Sequence, residues 1–128
     1  MAQKVFIHLE SNRGYSRDLL RGIYDYNNQI SHWDIIFEPA YFLKNNRTNN
    51  RINLIQSVKP DACILENSED IAQMAQLGIP MIQVTSVNHV EGIPYVKGNY
   101  LSDAKLAIQY FTRKGFRSLA FLGIENLE

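Results

Sequence analysis

Short apolar runs alternate along this chain with stretches whose apolar residues fall at helical spacing, and that alternation constrains the fold more than any other feature. Val5–Leu9 is followed at once by a polar loop bearing Gly14. From Ser16 to Ile30, Leu19, Leu20, Ile23, Tyr24, Tyr26 and Ile30 then mark a helical stripe. Trp33–Glu38 is β-branched and aromatic and is stopped by Pro39. Leu43–Asn50, rich in asparagine, reads as loop. A helix over about Asn49–Val58 follows, carrying Ile52, Leu54, Ile55 and Val58. Lys59-Pro60-Asp61 breaks that helix ahead of the buried strand Ala62–Leu65.

Asn67 or Ser68 is expected to cap the next helix, with Glu69 and Asp70 in its first turn and Gly78 at its end. Pro80 leads into strand Met81–Val84, and Gly92-Ile93-Pro94 into the short strand Tyr95–Lys97. A long helix from Asn99 to Lys114 ends at Gly115, and Ser118–Leu122 is expected to be a last strand. Short apolar strands alternating with helices predict an α/β fold, a doubly wound, mostly parallel sheet of flavodoxin- or Rossmann-like order covered on both faces.

The 128 residues make one domain at most, read as residues 1–126 with Leu127-Glu128 as a cloning scar. Thirteen basic residues balance thirteen acidic ones, so no overall field favours nucleic acid or an anionic membrane. The only cysteine, Cys63, lies in an apolar run and excludes an internal disulfide and any CxxC cluster. No apolar stretch reaches a membrane span and no signal peptide is read, so a cytoplasmic protein is expected. No histidine has a second ligand at metal spacing, and no Ser-His-Asp, Cys-His or paired-carboxylate arrangement on one element is legible. We therefore expect neither metal, cofactor nor enzymatic activity.

In open α/β sheets small molecules bind at the carboxyl ends of the strands, which directs attention to the loop after Leu9. A dinucleotide fold needs three glycines there and a P-loop needs a lysine followed by Ser or Thr; only Gly14 is present. A phospho-receiver would need an acidic pair, an aspartate and a lysine at set strand ends; Glu10 and Glu66 stand near two of these places, but the Asp and Lys are missing. A flavodoxin is the nearest rival, since Ser11-Asn12-Arg13-Gly14-Tyr15-Ser16 looks like a flavin phosphate loop without its central hydroxyl.

The polar residues suit a polyol instead. Glu10, Asn12, Tyr15 and Arg17 offer a carboxylate, an amide, an aromatic face and a guanidinium around one loop. Glu66 and Asn67 end the third strand, and Thr85 and Ser86 the fourth, so all would converge on one edge of the sheet. The plainer alternative is that Arg17 only pairs with Asp18 or Asp25 and that Tyr15 packs its helix. His8, inside the first strand, reads as a packed core histidine, and Tyr24–Tyr26 as core and interface.

Four motifs in order carry a resemblance. Lys59-Pro60-Asp61-Ala62-Cys63-Ile64-Leu65, Leu77-Gly78-Ile79-Pro80-Met81-Ile82, Tyr95-Val96-Lys97-Gly98-Asn99-Tyr100 and Lys114-Gly115-Phe116-Arg117-Ser118-Leu119-Ala120-Phe121 are similar to successive motifs of the LacI-type effector-binding domain. That domain has a type I periplasmic-binding-protein-like fold. The resemblance spans residues 4 to 124 and matches the N-terminal lobe. Asn12-Arg13-Gly14-Tyr15-Ser16-Arg17 through Gly22-Ile23 looks most like the xylose-operon regulator group, in which the sensor precedes an AraC-type DNA-binding domain.

The resemblance implies a carbohydrate effector, by extension a pentose, and a homodimer. It implies DNA contact only through a domain absent from this chain, no membrane partner, and weak sugar affinity for one lobe alone. Gly98, where aspartate is commoner, and Glu10, where relatives vary, leave the sugar open. A periplasmic sugar-binding protein of the same fold is the second reading.

Overall fold

In a computed structural model, residues 1–10, 13–39, 48–66, 71–84 and 89–123 are described, Thr48–Asn50 by backbone only. Residues Met1–Val96 and Lys97–Glu128 form two units. The first holds strand β1 (Lys4–Leu9), helix α1 (Gly14–Tyr26), β2 (Asp34–Pro39), α2 (Thr48–Val58), β3 (Ala62–Glu66), α3 (Ile71–Ala75), β4 (Met81–Val84) and β5 (Tyr95–Val96). All four strand pairings are parallel, in the order β2-β1-β3-β4-β5. β1 is central: Lys4–Leu9 pair with Asp34–Pro39 on one side, and Val5–His8 with Ala62–Leu65 on the other.

The central strand shows no in–out alternation because both its faces are covered. Phe6, with Cys63 and Leu65, packs on one face against Ile55 of α2, Ile71 and Met74 of α3, and Ile93. Val5, Ile7, Leu9 and Val84 pack on the other, against Leu19, Leu20 and Ile23 of α1 and against Trp33. Helices thus cover both faces, which makes the sheet doubly wound as its alternating pattern predicts. Burying a side chain such as Phe6 or Ile7 is worth roughly 1.5–3 kcal/mol, so this strand supplies much of the core's stabilisation.

Each boundary has a local cause. α1 does not run on as α-helix to Ile30; it passes into one π-helical turn, Asn27–Ser31, closed by the His32 N–H donating to the Asn27 carbonyl at 2.9 Å. His32 then turns left-handed at φ 53°. Buried Asn27 explains the widened turn. Its Oδ1 accepts from the Trp33 N–H, and its Nδ2 donates to the Trp33 carbonyl at 3.2 Å, so the amide closes the chain around the turn. α2 ends where the Lys59 N–H donates to the Ile55 carbonyl and Lys59 adopts φ 50° ahead of Pro60. The expected cap at Asn67 or Ser68 lies outside the described residues. Tyr24 and Tyr26, read as core and interface, are not core: both are substantially exposed, and Tyr26 packs its ring on Trp33.

The second unit contains α4 (Tyr100–Arg113), whose ends follow the sequence signals. Asn99 Oδ1 accepts from the Ser102 N–H at 3.1 Å, Asp103 lies in the first turn and Arg113 in the last. Gly115, at φ 90°, terminates the helix: its N–H donates to the Thr112 carbonyl and that of Phe116 to the Phe111 carbonyl, with the two phenyl rings 5.8 Å apart. The expected strand Ser118–Leu122 is not formed. Its residues have strand character, but a strand exists only through a ladder, and among the described residues no backbone ladder bond joins this segment. Among the described residues no helix is long and apolar enough to cross a membrane.

Candidate functional site

The chain leaves β1 for β2 on one side and returns to β3 on the other, so the carboxyl ends of β1 and β3 flank the topological switch point of the sheet. Glu10 follows β1 and Glu66 ends β3, which places two carboxylates at this crevice. α1 begins just beyond, its first turn lacking the usual help: Arg13 is the N-cap without a side-chain cap bond, and no acidic residue lies in the first turn.

The missing negative charge comes from across the sheet. The buried Ser16 hydroxyl, in the first turn of α1, donates to Glu66 Oε1 at 3.0 Å, and the Glu10 backbone N–H donates to Glu66 Oε2. The Glu66 carboxylate therefore joins the end of β3, the end of β1 and the start of α1, where helix polarity favours an anion.

Glu10 points its own carboxylate to Arg13, whose Nε lies 2.8 Å from Glu10 Oε2. Its side chain is 12% exposed. Burial pushes the Glu10 carboxyl above the usual range; the Arg13 charge opposes this and that of Glu66 adds to it. Arg17, one turn along α1, holds Nη2 3.9 Å from where a Cβ on Gly14 would stand, over the helix start. Tyr15 is 52% exposed in the same turn. The arrangement offers fixed donors and acceptors, an exposed aromatic ring and a carboxylate held partly desolvated.

Of the residues expected from sequence, Glu10 follows β1, Tyr15 and Arg17 lie on α1 and Glu66 ends β3, at the carboxyl end of the sheet. Asn12, Asn67, Thr85 and Ser86 lie outside the described residues. Two participants were missed. Ser16 reads in sequence as an ordinary helix-start serine, and Arg13 as part of a loop; the three-residue spacing from Glu10 to Arg13 was the available signal. Asp18 is engaged by Arg21, 3.3 Å away and well exposed.

A second polar cluster lies between β1 and β2. His8 Nδ1 sits 3.1 Å from the Glu38 carbonyl oxygen and 3.2 Å from Glu38 Oε2, both acceptors, so Nδ1 carries the proton. Arg51 of α2 places Nε 2.8 Å from the same Oε2. Burial alone would raise the Glu38 carboxyl, but hydrogen bonds from His8 and Arg51, with their charges, hold it below the usual range. As expected, His8 is a core histidine and Cys63 a buried cysteine, and burial pushes the Cys63 thiol up to about 11.

An apolar cavity of about 360 Å³ lies at the opposite, amino ends of the strands, lined by Val5, Trp33, Cys63 and Ile82 among others. Asp61, on its rim, accepts from the Lys4 N–H at 2.7 Å and is committed to the backbone. Among the described residues no group of three or more His, Cys, Asp or Glu side chains could hold a metal ion. The fold and crevice define a doubly wound α/β protein of strand order 2-1-3-4-5. No protein-family model matches the chain, and a search of curated proteins finds no significant match.

Proposed function

We propose that this chain is the effector-binding lobe of a bacterial transcription regulator, sensing a small carbohydrate at the carboxyl ends of its strands. The carrying observation is the clustering of Glu10, Arg13, Ser16 and Glu66 at the switch point, with Tyr15 and Arg17 in the adjoining turn. Such groups hydrogen-bond vicinal hydroxyls and stack on a sugar ring, and they lie where open α/β sheets bind ligands. The resemblance of the four motifs to LacI-type sensors supports the same reading.

The lobe works without covalent chemistry. A sugar that binds the closed two-lobe state more tightly than the open one shifts the population of a dimeric regulator, and that difference sets the response. DNA contact belongs to a separate domain. The protein acts in the cytoplasm, and a pentose is the first ligand to test.

Two-dimensional NMR of this chain with a panel of aldopentoses and aldohexoses tests the reading. Selective shifts at Gly14–Arg17 and Glu66 for one sugar are expected, and a flat response across the panel would refute it. In the full-length regulator, Arg17→Ala should abolish the sugar response while leaving the thermal unfolding curve within a degree or so of wild type, since the residue is exposed. An unchanged response would remove Arg17 from the site. A purified chain with the visible absorbance of bound flavin would establish the electron-carrier alternative instead.

A further inference from the structure

We infer that Glu66 is a specificity-determining residue, which restricts the crevice to uncharged polyols and bars phosphorylated ligands. The inference rests on the sugar-sensor reading and narrows its ligand class. In doubly wound folds, a phosphate bound at the switch point sits at the start of the first helix, using free N–H and O–H donors and the positive end of the helix. Here a carboxylate of the protein already engages the hydroxyl donor of that first turn, Ser16. α1 has no cap bond and no acid of its own in its first turn, and Glu66 reaches over from β3 to accept from Ser16 Oγ at 3.0 Å and from the Glu10 N–H.

The neighbouring Glu10 carboxylate reinforces the exclusion. It lies close enough to Glu66 for the two charges to oppose one another, and it engages the Arg13 guanidinium at 2.8 Å. A phosphate entering here would displace a built-in anion from its donors and approach a second one. A neutral sugar hydroxyl meets no such penalty and donates to either carboxylate. The same carboxylate bars the phosphate of a flavin mononucleotide, although the strand order is that of flavodoxins.

The test follows the amides of Gly14, Tyr15 and Ser16 by NMR at constant ionic strength near neutral pH. Three probes are titrated: an aldopentose, its 5-phosphate ester and inorganic phosphate. In the wild type the sugar should bind about tenfold or more tightly than its ester, and inorganic phosphate should leave the three amides unmoved. Glu66→Gln keeps an oxygen to accept from Ser16 and Glu10 but removes the charge; it should gain about tenfold or more in affinity for inorganic phosphate at these amides.

A wild-type phosphate response there, or no gain in Glu66→Gln, overturns the inference even if the sugar binds. A phosphate gain in the variant with no sugar bound by either protein upholds the role of Glu66 and refutes the sugar reading. Should Glu66→Gln not fold, the wild-type titrations decide: preference for the neutral sugar supports the inference, and equal or tighter binding of the ester sinks it.

Discussion

Glu10 and Glu38 stand near the carboxyl ends of neighbouring strands, both with little exposure, yet their carboxyls shift in opposite directions. Burial opposes ionisation in both. At Glu38 it is outweighed by His8 and Arg51, which converge on one carboxylate oxygen; at Glu10 one guanidinium faces burial and the like charge of Glu66. The number of donors decides the outcome. Glu38 is a fastening that ties β1, β2 and α2 together, whereas Glu10 remains an incompletely compensated acceptor at the crevice. Perturbation in the second sense is what a binding site stores and a structural ion pair does not.

The largest effect that would break this contrast concerns the fastening. Arg51→Met should cost about 2–4 kcal/mol in urea unfolding, because it leaves Glu38 with His8 alone in a mostly buried position. A loss below about 0.5 kcal/mol, the level of an exposed ion pair, would show that the triad is not a fastening. Next comes Ser16→Ala, which removes a buried donor to Glu66; about 1–2 kcal/mol is expected in the same measurement, with the Gly14–Arg17 amides shifting.

The smallest effect is the most discriminating, because the two carboxylates differ in sign. The folded-state value of Glu38 is lowered, so its stabilisation is present above the ordinary value of 4.5 and is lost as pH falls through the folded value. That of Glu10 is raised, so its protonated form favours folding below 4.5, and the advantage is lost as pH rises through the folded value. Urea melts of Glu38→Gln and Glu10→Gln should therefore diverge. The first is destabilised near pH 7 and approaches wild type in acid. The second is equal to or slightly more stable than wild type near pH 7, by less than about 1 kcal/mol. Parallel pH profiles would erase the distinction drawn here.

Much of the fold was legible because the physics that sets it is local or periodic. The apolar runs became β1 to β4 within a residue or two, Asn99 capped α4, and Gly78 and Gly115 took the left-handed φ that their stop positions require. Ser118–Leu122 failed because strand propensity cannot supply a ladder partner. The π turn at Asn27 escaped notice because its cause is a side-chain amide that meets Trp33 only once the chain has turned.

By itself the sequence determined the alternation, the parallel sheet buried on both faces, and a polar, single-glycine loop at the end of the first strand. Only the tertiary structure decided what that loop's neighbours do. It showed that Glu66 reaches 50 residues back in sequence to Ser16, that Arg13 engages Glu10, and that Arg51 makes Glu38 a fastening. Periodicity reports which face a residue shares with its near neighbours. The partner of a charge is set by strand order, and strand order brings together residues that no local pattern connects.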